Sequence, residues 1–258
     1  MEIDINNYYS QEAGAEYWSV SQFKAFDRCE AAGLAEARGE YHRPETDALL
    51  IGSYVDAYFT GDVERFQLEH AGEMFTKKGE LYSKFQNADK MIEAVEKQPL
   101  LKEYLTGEKQ VIKTAELLGV PWKIRMDVCN GERIVDLKTV RDFGEIWEDG
   151  YGRRPWIEYW GYDIQGAVYQ TVEQIASKRP RPLPFFIAAV TKEKTPDVAL
   201  IQIPQETLDV ALRLVAAKID RFDLIKSGEV EPIRCERCEY CKQTKVLEKP
   251  STYRREED

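Results

Sequence analysis

Asp136 and Lys138 stand two residues apart in the segment MDVCNGERIVDLKTV, which also contains Asp127. Side chains two apart in a β-strand leave the same face, so Leu137 between them points to the opposite face, towards the core. The Asn130-Gly131 pair between the two aspartates is a strong hairpin signal. A turn there can bring Asp127 beside Asp136, so we expect two carboxylates and one ammonium to converge on one patch.

This patch has the donors that a hard divalent metal ion prefers. Mg²⁺ binds oxygen ligands and accepts few of them from protein, so two carboxylates and the backbone carbonyl of Leu137 are a sufficient set. A nearby ammonium such as that of Lys138 can orient an attacking water or stabilise negative charge on a transferring phosphate. The pattern therefore predicts metal-assisted hydrolysis of a phosphate ester.

Two helical patterns flank this segment with polar side chains on one face. Gly52 and Asp56 lie one turn apart in a predicted helix over 48–59, and Gln165 and Tyr169 lie one turn apart in another over 159–177. A lone DxK pattern is typical of the solvated face of an edge strand. For the Gln-Tyr pair taken alone, ordinary helix packing explains the spacing as well as a role at a functional site does. The elements together, in this order along the chain, favour a functional site.

This combination resembles the PD-(D/E)xK nuclease superfamily, and within it the RecE-like and RecB-like exonucleases of phages and bacterial recombination systems. In that family an Asp at a strand end precedes a (D/E)xK strand and a helix with a QxxxY motif, and the resemblance covers roughly residues 19–241. The resemblance implies catalytic roles for Asp127, Asp136, Lys138, Gln165 and Tyr169. It implies metal ligation by Asp56, Asp127, Asp136 and the carbonyl of Leu137, with Asp56 in the place of the His of a GxxxH motif.

The resemblance also implies a substrate and a cofactor. We expect a metal-dependent DNA exonuclease that uses Mg²⁺ or Mn²⁺ in phage-type recombination or repair, where a single-strand annealing protein would receive the product strand. Asp56 in place of His leaves open a non-catalytic DNA-binding or assembly module on the same fold, although the intact set of Asp127, Asp136 and Lys138 argues against it. A structure-specific endonuclease is the other alternative.

Four of the five cysteines form a second group with metal-binding spacing. Cys235, Cys238 and Cys241 make a CxxCxxC pattern in a polar tail, and Cys29 lies in the first predicted helix, whereas Cys129 has no partner in the sequence. Thiolates this close repel one another unless a soft metal or a cluster neutralises them, and four sulfurs fit either a [4Fe-4S] cube or a tetrahedral Zn²⁺ ion. The arrangement is similar to the iron-sulfur staple of AddB-type and CRISPR-associated RecB-like exonucleases, so [4Fe-4S] is the first expectation and Zn²⁺ the alternative.

Composition restricts how DNA could be bound. The chain of 258 residues has 36 Lys and Arg against 46 Asp and Glu, so its formal net charge of −10 excludes an overall basic coat. Local basic groups could still follow a phosphate backbone, and aromatic rings after the third predicted strand could stack on unpaired bases. The basic groups are Arg153-Arg154, Lys178-Arg179 with Arg181, and Arg234, Arg237, Lys242 and Lys245; the rings are Trp147, Tyr151, Trp156, Tyr159 and Trp160.

Several other function classes lack their motifs. The two histidines, His42 and His70, lie in no catalytic context, which argues against Ser-His and Cys-His hydrolases. No GxxxxGK[ST] loop is present, which argues against an ATP-driven motor. No signal sequence or membrane span is predicted, and an odd number of cysteines without export signals favours reduced thiols and a cytoplasmic location. A homo-oligomer is compatible with this sequence.

The order of predicted elements gives the fold class. Helical patterns at 19–38, 48–59 and 82–97 precede strands at 109–118, 120–128 and 133–138, a helix at 159–177, strands at 184–191 and 197–203, and a helix at 205–227. This order predicts an α+β fold with an α/β-type core, a restriction-endonuclease-like mixed central sheet flanked by helices. We expect one domain over 1–258, made of an N-terminal helical portion (1–105), a nuclease core (106–230) and a Cys-rich tail (231–258) that is frayed from Thr252 onward.

Overall fold

A five-stranded mixed sheet forms the centre of the computed structural model, which describes residues 1–247 and 249–250. The strands are β1 (Glu108–Leu117), β2 (Val120–Cys129), β3 (Ile134–Val140), β4 (Ile146–Glu148), β5 (Gly152–Arg154), β6 (Phe185–Thr191) and β7 (Val198–Gln202). The sheet order is β1-β2-β3-β6-β7, in which β3 and β6 run parallel and the other neighbours antiparallel, while β4 and β5 form a separate hairpin. This topology confirms the predicted mixed sheet. The expected frayed end from Thr252 lies outside the described residues.

Helices cover both faces of the sheet. In the described chain they are α1 (Gln11–Glu16), α2 (Val20–Arg28), α3 (Glu30–Ala37), α4 (Asp47–Thr60), α5 (Val63–Glu69), α6 (Ala71–Met74), α7 (Asn87–Glu96), α8 (Pro99–Tyr104), α9 (Trp156–Tyr159), α10 (Tyr162–Ala176), α11 (Gln205–Ser227) and α12 (Glu239–Gln243). Apolar side chains of α2, α10 and α11 form one buried core with one face of the sheet, and those of α4, α7 and α8 form a second with the other face. This arrangement confirms the predicted restriction-endonuclease-like α+β fold.

Two tight turns build the meander of β1, β2 and β3. Leu118 and Gly119 connect β1 to β2 and both have positive φ, at 53° and 76°. In the second turn the Asn130 side chain accepts hydrogen bonds from the backbone N–H groups of Glu132 and Arg133, each at 3.1 Å, and Gly131 has a φ of 80°. The Asn-Gly turn lets the chain reverse directly after β2, as the sequence predicts.

The prediction of one continuous helix over 19–38 is wrong, because the chain bends at Cys29. Cys29 has extended backbone angles (φ −166°, ψ 111°) between α2 and α3. A side chain at Gly33 would lie 2.7 Å from the Phe26 Cα, so glycine allows the two helices to pack closely after the bend. The apolar spacing continues on both sides of Cys29, which is why periodicity alone predicts a single helix.

Two further helix boundaries differ from the sequence prediction. The helix predicted over 159–177 begins only at Tyr162, because Gly161 adopts a φ of 63° between α9 and α10. The helix predicted over 82–97 begins at Asn87 after a short 3₁₀ turn. No helix of the described residues is long and apolar enough to cross a membrane.

Candidate functional site

A cavity of about 640 Å³ opens where α4, β2, β3 and α10 meet. The sequence assigns seven residues to the nuclease site, and all of them line this cavity. They are Asp56, Asp127, Asp136, Leu137, Lys138, Gln165 and Tyr169. The fold therefore brings together residues that lie far apart along the chain.

The divergence of β2 and β3 creates space for the site. These strands pair only beside their turn, where Val128 lies opposite Val135 and Cys129 opposite Ile134. One residue further from the turn, Asp127 Oδ2 accepts a hydrogen bond from the backbone N–H of Leu137 at 2.9 Å. A carboxylate thus takes the place of a backbone acceptor in the ladder, which fixes the side chain of Asp127 beside β3.

Asp136 is held from two sides. Its side chain is only 2% exposed, its Oδ2 lies 2.5 Å from Lys138 Nζ, and its Oδ1 accepts a hydrogen bond from Gln165 Nε2 at 2.6 Å. Gln165 therefore contacts the carboxylate directly. Tyr169, one turn along α10, packs edge-to-face on Phe185 with ring centroids 6.3 Å apart.

Close packing of α4 against β3 places Asp56 in the cavity. A Cβ at Gly52 would lie 2.8 Å from Thr139 Oγ1, so only glycine fits at this contact without a shift. Asp56, one turn later, lines the cavity, and its Oδ1 is buried without a hydrogen-bond partner in the described part of the chain. The Gly-x-x-x-Asp spacing thus combines a packing requirement with a side chain directed into the site.

Burial and mutual repulsion shift the pKa values of the carboxylates in the cavity. Burial, together with the Asp136 carboxylate, raises the pKa of Asp56 to about 6, while Lys138 opposes the shift. Burial and the carboxylates of Asp136 and Asp56 raise the pKa of Asp127 well above its usual range. Burial alone would lower the pKa of Lys138, but Asp136 and Asp127 outweigh it and raise this pKa. Three neighbouring carboxylates, with the Asp56 Oδ1 buried and without a hydrogen-bond partner among the described residues, fit a divalent cation.

Several cavity residues belong to no sequence motif. Arg125 shares a face of β2 with Asp127, so strand alternation could have identified it. Lys24 donates to the Trp160 carbonyl at 3.0 Å, and burial lowers its pKa to about 8. No spacing pattern in the sequence identifies the remaining cavity residues, because they come from separate segments that only the fold brings together. The cavity lining includes Tyr8, Tyr9, Lys24, Gln110, Arg125, Tyr162 and Lys192.

The basic groups that the sequence suggested for DNA binding do not line this cavity. Several are neutralised by acidic neighbours, namely Arg154 by Glu148, Arg179 by Glu173, Arg234 by Glu236 and Lys242 by Glu239. Within the described part of the chain, Lys24, Arg125 and Lys192 form no ion pair. The cations available to an anionic ligand are thus different from those expected.

The four cysteines singled out in the sequence come together away from the cavity. Their sulfurs all lie within 4.8 Å of one another, with Cys29 at 3.6 Å and Cys235 at 3.9 Å from the Cys241 sulfur. Backbone N–H groups of Cys238 and Cys241 donate to the sulfurs of Cys235 and Cys238, at 3.3 and 3.5 Å. Burial opposes ionisation of Cys235, but hydrogen bonds from backbone amides lower its pKa to about 6. Four clustered sulfurs with amide donors fit a bound thiophilic metal.

Contacts around the cysteines join the tail to the N-terminal helices. The backbone N–H of Ala31 donates to the Ile233 carbonyl at 3.2 Å, and the N–H of Ile233 donates to Glu30 at 2.7 Å. Arg221 of α11 binds both oxygens of Glu30 at 2.8 Å. The bend at Cys29 therefore serves as the anchor of the tail, whereas Cys129 is buried elsewhere.

Comparison with known proteins agrees with this geometry. The model of a family described as a PDDEXK-like domain of unknown function (DUF3799) matches residues 19–244. The crystal structure of a "putative exonuclease" from Eubacterium rectale is 41% identical and covers 98% of this chain and 97% of that chain, with a TM-score of 0.91. The structure of SSO0001 covers 84% and 92% at 14% identity, but its TM-score of 0.28 carries no weight. No curated protein matches the sequence.

Proposed function

Since the chain belongs to the family of PDDEXK-like domains, we propose that it is a metal-dependent deoxyribonuclease that degrades DNA from its ends. The observation that carries this proposal is the cavity in which Asp56, Asp127, Asp136 and Lys138 converge. The similarity to the protein from Eubacterium rectale supports an exonuclease rather than an endonuclease.

The reaction is hydrolysis of a phosphodiester. A water oxygen forms a bond to phosphorus while the bond from phosphorus to one deoxyribose oxygen breaks; the water releases one proton and the leaving oxygen takes up one. Asp56, Asp127, Asp136 and the carbonyl of Leu137 would hold the Mg²⁺ or Mn²⁺, which supplies positive charge for water ionisation and for the phosphate. That carbonyl is suitably placed because the N–H and C=O of one strand residue point to the same side, and the Leu137 N–H already faces Asp127.

The protein side chains have separate tasks. The ammonium of Lys138, held by Asp136, stabilises negative charge on the phosphate, and Gln165 fixes the orientation of the Asp136 carboxylate. Lys24, Arg125 and Lys192, which lack carboxylate partners in the described chain, bind the phosphates of the strand. By its RecE-like resemblance the enzyme would act in recombination and pass its product strand to an annealing protein.

Digestion of end-labelled linear DNA and of covalently closed circular DNA tests this function. We expect loss of linear DNA only, in Mg²⁺ or Mn²⁺ and not in EDTA, with rates at least about 100-fold lower in Asp136→Asn and Lys138→Ala. Asp220→Asn and Lys194→Ala are matched controls, because both residues are exposed and lie outside the cavity. Cleavage of the circle would indicate an endonuclease. Wild type and variants that are equally inert yet bind DNA would indicate a binding module.

We also propose that the four cysteines hold a single tetrahedral Zn²⁺ ion rather than a [4Fe-4S] cube. Four thiolates around one zinc, each about 2.3 Å from it, stand about 3.8 Å from one another. The thiolates of a cube bind at its outer corners and stand farther apart. The sulfur separations of 3.6 and 3.9 Å, all within 4.8 Å, support the single ion.

Metal analysis of the protein purified without air tests this assignment. We expect about one zinc per chain and no visible absorption, with zinc lost in Cys235→Ser and Cys238→Ser and retained in the control Cys129→Ser. Iron, acid-labile sulfide and a brown colour would instead show that the four cysteines hold an iron-sulfur cluster. Zinc that persists in Asp136→Asn would separate this site from the cavity.

A further inference from the structure

Gln110 is the one cavity residue that combines a strained backbone with an unpaired buried amide in the described chain. It lies inside β1, yet its φ is 53°, a left-handed value that side chains other than glycine rarely adopt. Residues on both sides keep regular strand register, Lys109 opposite Val128 and Val111 opposite Met126. The distortion is therefore local to Gln110.

The side chain gains nothing from this conformation within the protein. Both Nε2 and Oε1 of Gln110 are buried and have no hydrogen-bond partner among the described residues, although the side chain lines the cavity. An unpaired buried amide and a left-handed residue each cost stability. Backbone strain that brings no stabilising contact within the protein is typical of functional positions.

The register locates the amide within the site. Because Lys109 faces Val128 and Val111 faces Met126, Gln110 lies directly across from Asp127. An amide offers one donor and one acceptor group at neutral charge, which suits a ligand that carries both. A phosphodiester oxygen accepts hydrogen bonds, and the water that attacks it donates them.

We propose that Gln110 positions the scissile phosphate and the attacking water, its Nε2 donating to a non-bridging phosphate oxygen and its Oε1 accepting from the water. This inference rests on the proposed nuclease function. The left-handed backbone and the unpaired amide occur at the same residue, and both reduce stability. Gln110 is thus a substrate-positioning residue that the sequence motifs do not contain.

Gln110→Gly and Gln110→Met test the inference. Glycine relieves the backbone and removes the amide, so we expect a higher melting temperature of the metal-free protein and a kcat lower by about tenfold or more, with little change in KM. Methionine keeps the shape and removes only the hydrogen-bonding groups, so kcat should fall to the same extent. Leu118→Gly is the control for kcat, because Leu118 has the same φ of 53° and does not line the cavity.

The outcomes separate the two proposals. An active wild type with unchanged kcat in Gln110→Met would overturn the role of Gln110 alone. A wild type inert towards DNA with every metal would overturn the nuclease function and this inference together. A stabilised Gln110→Gly with normal kcat would show that the residue has no part in positioning the substrate.

Discussion

Asp127 Oδ2 accepts the backbone N–H of Leu137 at 2.9 Å at the position where β2 and β3 cease to pair. One carboxylate oxygen thus completes the sheet, and the other is left for the cavity. The same residue therefore has a structural and a chemical task. An amide at this position retains the acceptor that the sheet needs and removes the charge that a cation needs.

The first prediction concerns Asp127→Asn. The pKa of Asp127 is raised by burial and by the neighbouring carboxylates, so its charge destabilises the metal-free protein at neutral pH. We expect Asp127→Asn to raise the free energy of unfolding in EDTA by about 1 kcal/mol and to abolish DNA cleavage. Mg²⁺ at 100 times its dissociation constant should stabilise wild type by about 2.7 kcal/mol and leave the variant unchanged. Urea unfolding with and without metal measures both effects, and a variant less stable than wild type in EDTA would contradict them.

The second prediction concerns Gln165, which donates to Asp136 Oδ1 at 2.6 Å. Replacement by Met keeps the length of the side chain and removes the donor, so the Asp136 carboxylate loses its fixed orientation. We expect Gln165→Met to weaken metal binding about 10- to 100-fold, as is usual for partners of metal ligands. Cleavage rates over a series of Mn²⁺ concentrations measure this shift. Gln205→Met, at an exposed position of α11, is the control.

A loss of activity in Gln165→Met that excess metal does not restore would be evidence against an orienting role. Such a result would place Gln165 in contact with the substrate instead. Recovery at high metal concentration would support the proposed hydrogen bond to Asp136.

The third prediction concerns the contact between α4 and β3. A Cβ at Gly52 meets Thr139 Oγ1 at 2.8 Å, so Gly52→Ala requires a shift either of α4, with Asp56, or of the Thr139 side chain. We expect a loss of stability of about 1–3 kcal/mol and reduced cleavage. The double variant Gly52→Ala with Thr139→Ala should recover part of both losses. Gly72→Ala is the control, since its new Cβ has no atom of the described chain within 4 Å apart from its chain neighbours and its own helix backbone. If the effects of the two single variants simply add in the double variant, the contact is contradicted.

The sequence predicts the relative positions of these residues where a single element carries the pattern. Strand alternation places Asp136 and Lys138 on one face, and a helical turn places Gly52 and Asp56 on another. Prediction fails where tertiary contacts decide: the bend at Cys29 interrupts an unbroken helical period, and the left-handed backbone of Gln110 leaves no trace in residue spacing. Lys24, Arg125 and Lys192 lie in α2, in β2 and directly after β6, three places that only the fold brings together.

The fourth prediction concerns pH and Lys123. This side chain is 4% exposed and donates to the Tyr8 carbonyl at 2.6 Å, and burial lowers its pKa from 10.5 to about 8. Below pH 8 both the folded and the unfolded chain hold the proton, so the folded protein carries the full cost of a buried charge. Between about pH 8 and 10.5 only the unfolded chain still holds it, so stability rises with pH in this window.

The variant Lys123→Met has no side-chain amine that could titrate in this pH range. We expect the free energy of unfolding of wild type, relative to the variant, to increase by up to about 3 kcal/mol between pH 8 and 10.5. Urea unfolding at constant ionic strength measures the difference, and the titrations that both proteins share cancel in it. Parallel pH profiles for the two proteins would contradict the lowered pKa.

The last prediction concerns Tyr9, an exposed ring at the margin of the cavity. The Tyr9 side chain is 73% exposed, and the Arg125 guanidinium lies 4.7 Å from its ring centroid. An exposed ring beside a cation and at the margin of the proposed nuclease site can stack on the base of a strand whose phosphate enters the cavity. Stacking contributes about 1–3 kcal/mol per base, so Tyr9→Ala should weaken binding of a single-stranded oligonucleotide about 5- to 150-fold.

Tyr9→Phe keeps the ring and serves as the matched control, with binding close to that of wild type. Fluorescence anisotropy of a labelled oligonucleotide in Ca²⁺ measures affinity without cleavage. Quenching of 2-aminopurine at the terminal nucleotide, present in wild type and Tyr9→Phe and absent in Tyr9→Ala, would locate the base on the ring. Stacking depends on the aromatic face and not on the hydroxyl, so only Tyr9→Ala should bind the oligonucleotide more weakly. Equal affinities of the three proteins would contradict stacking of a base on Tyr9.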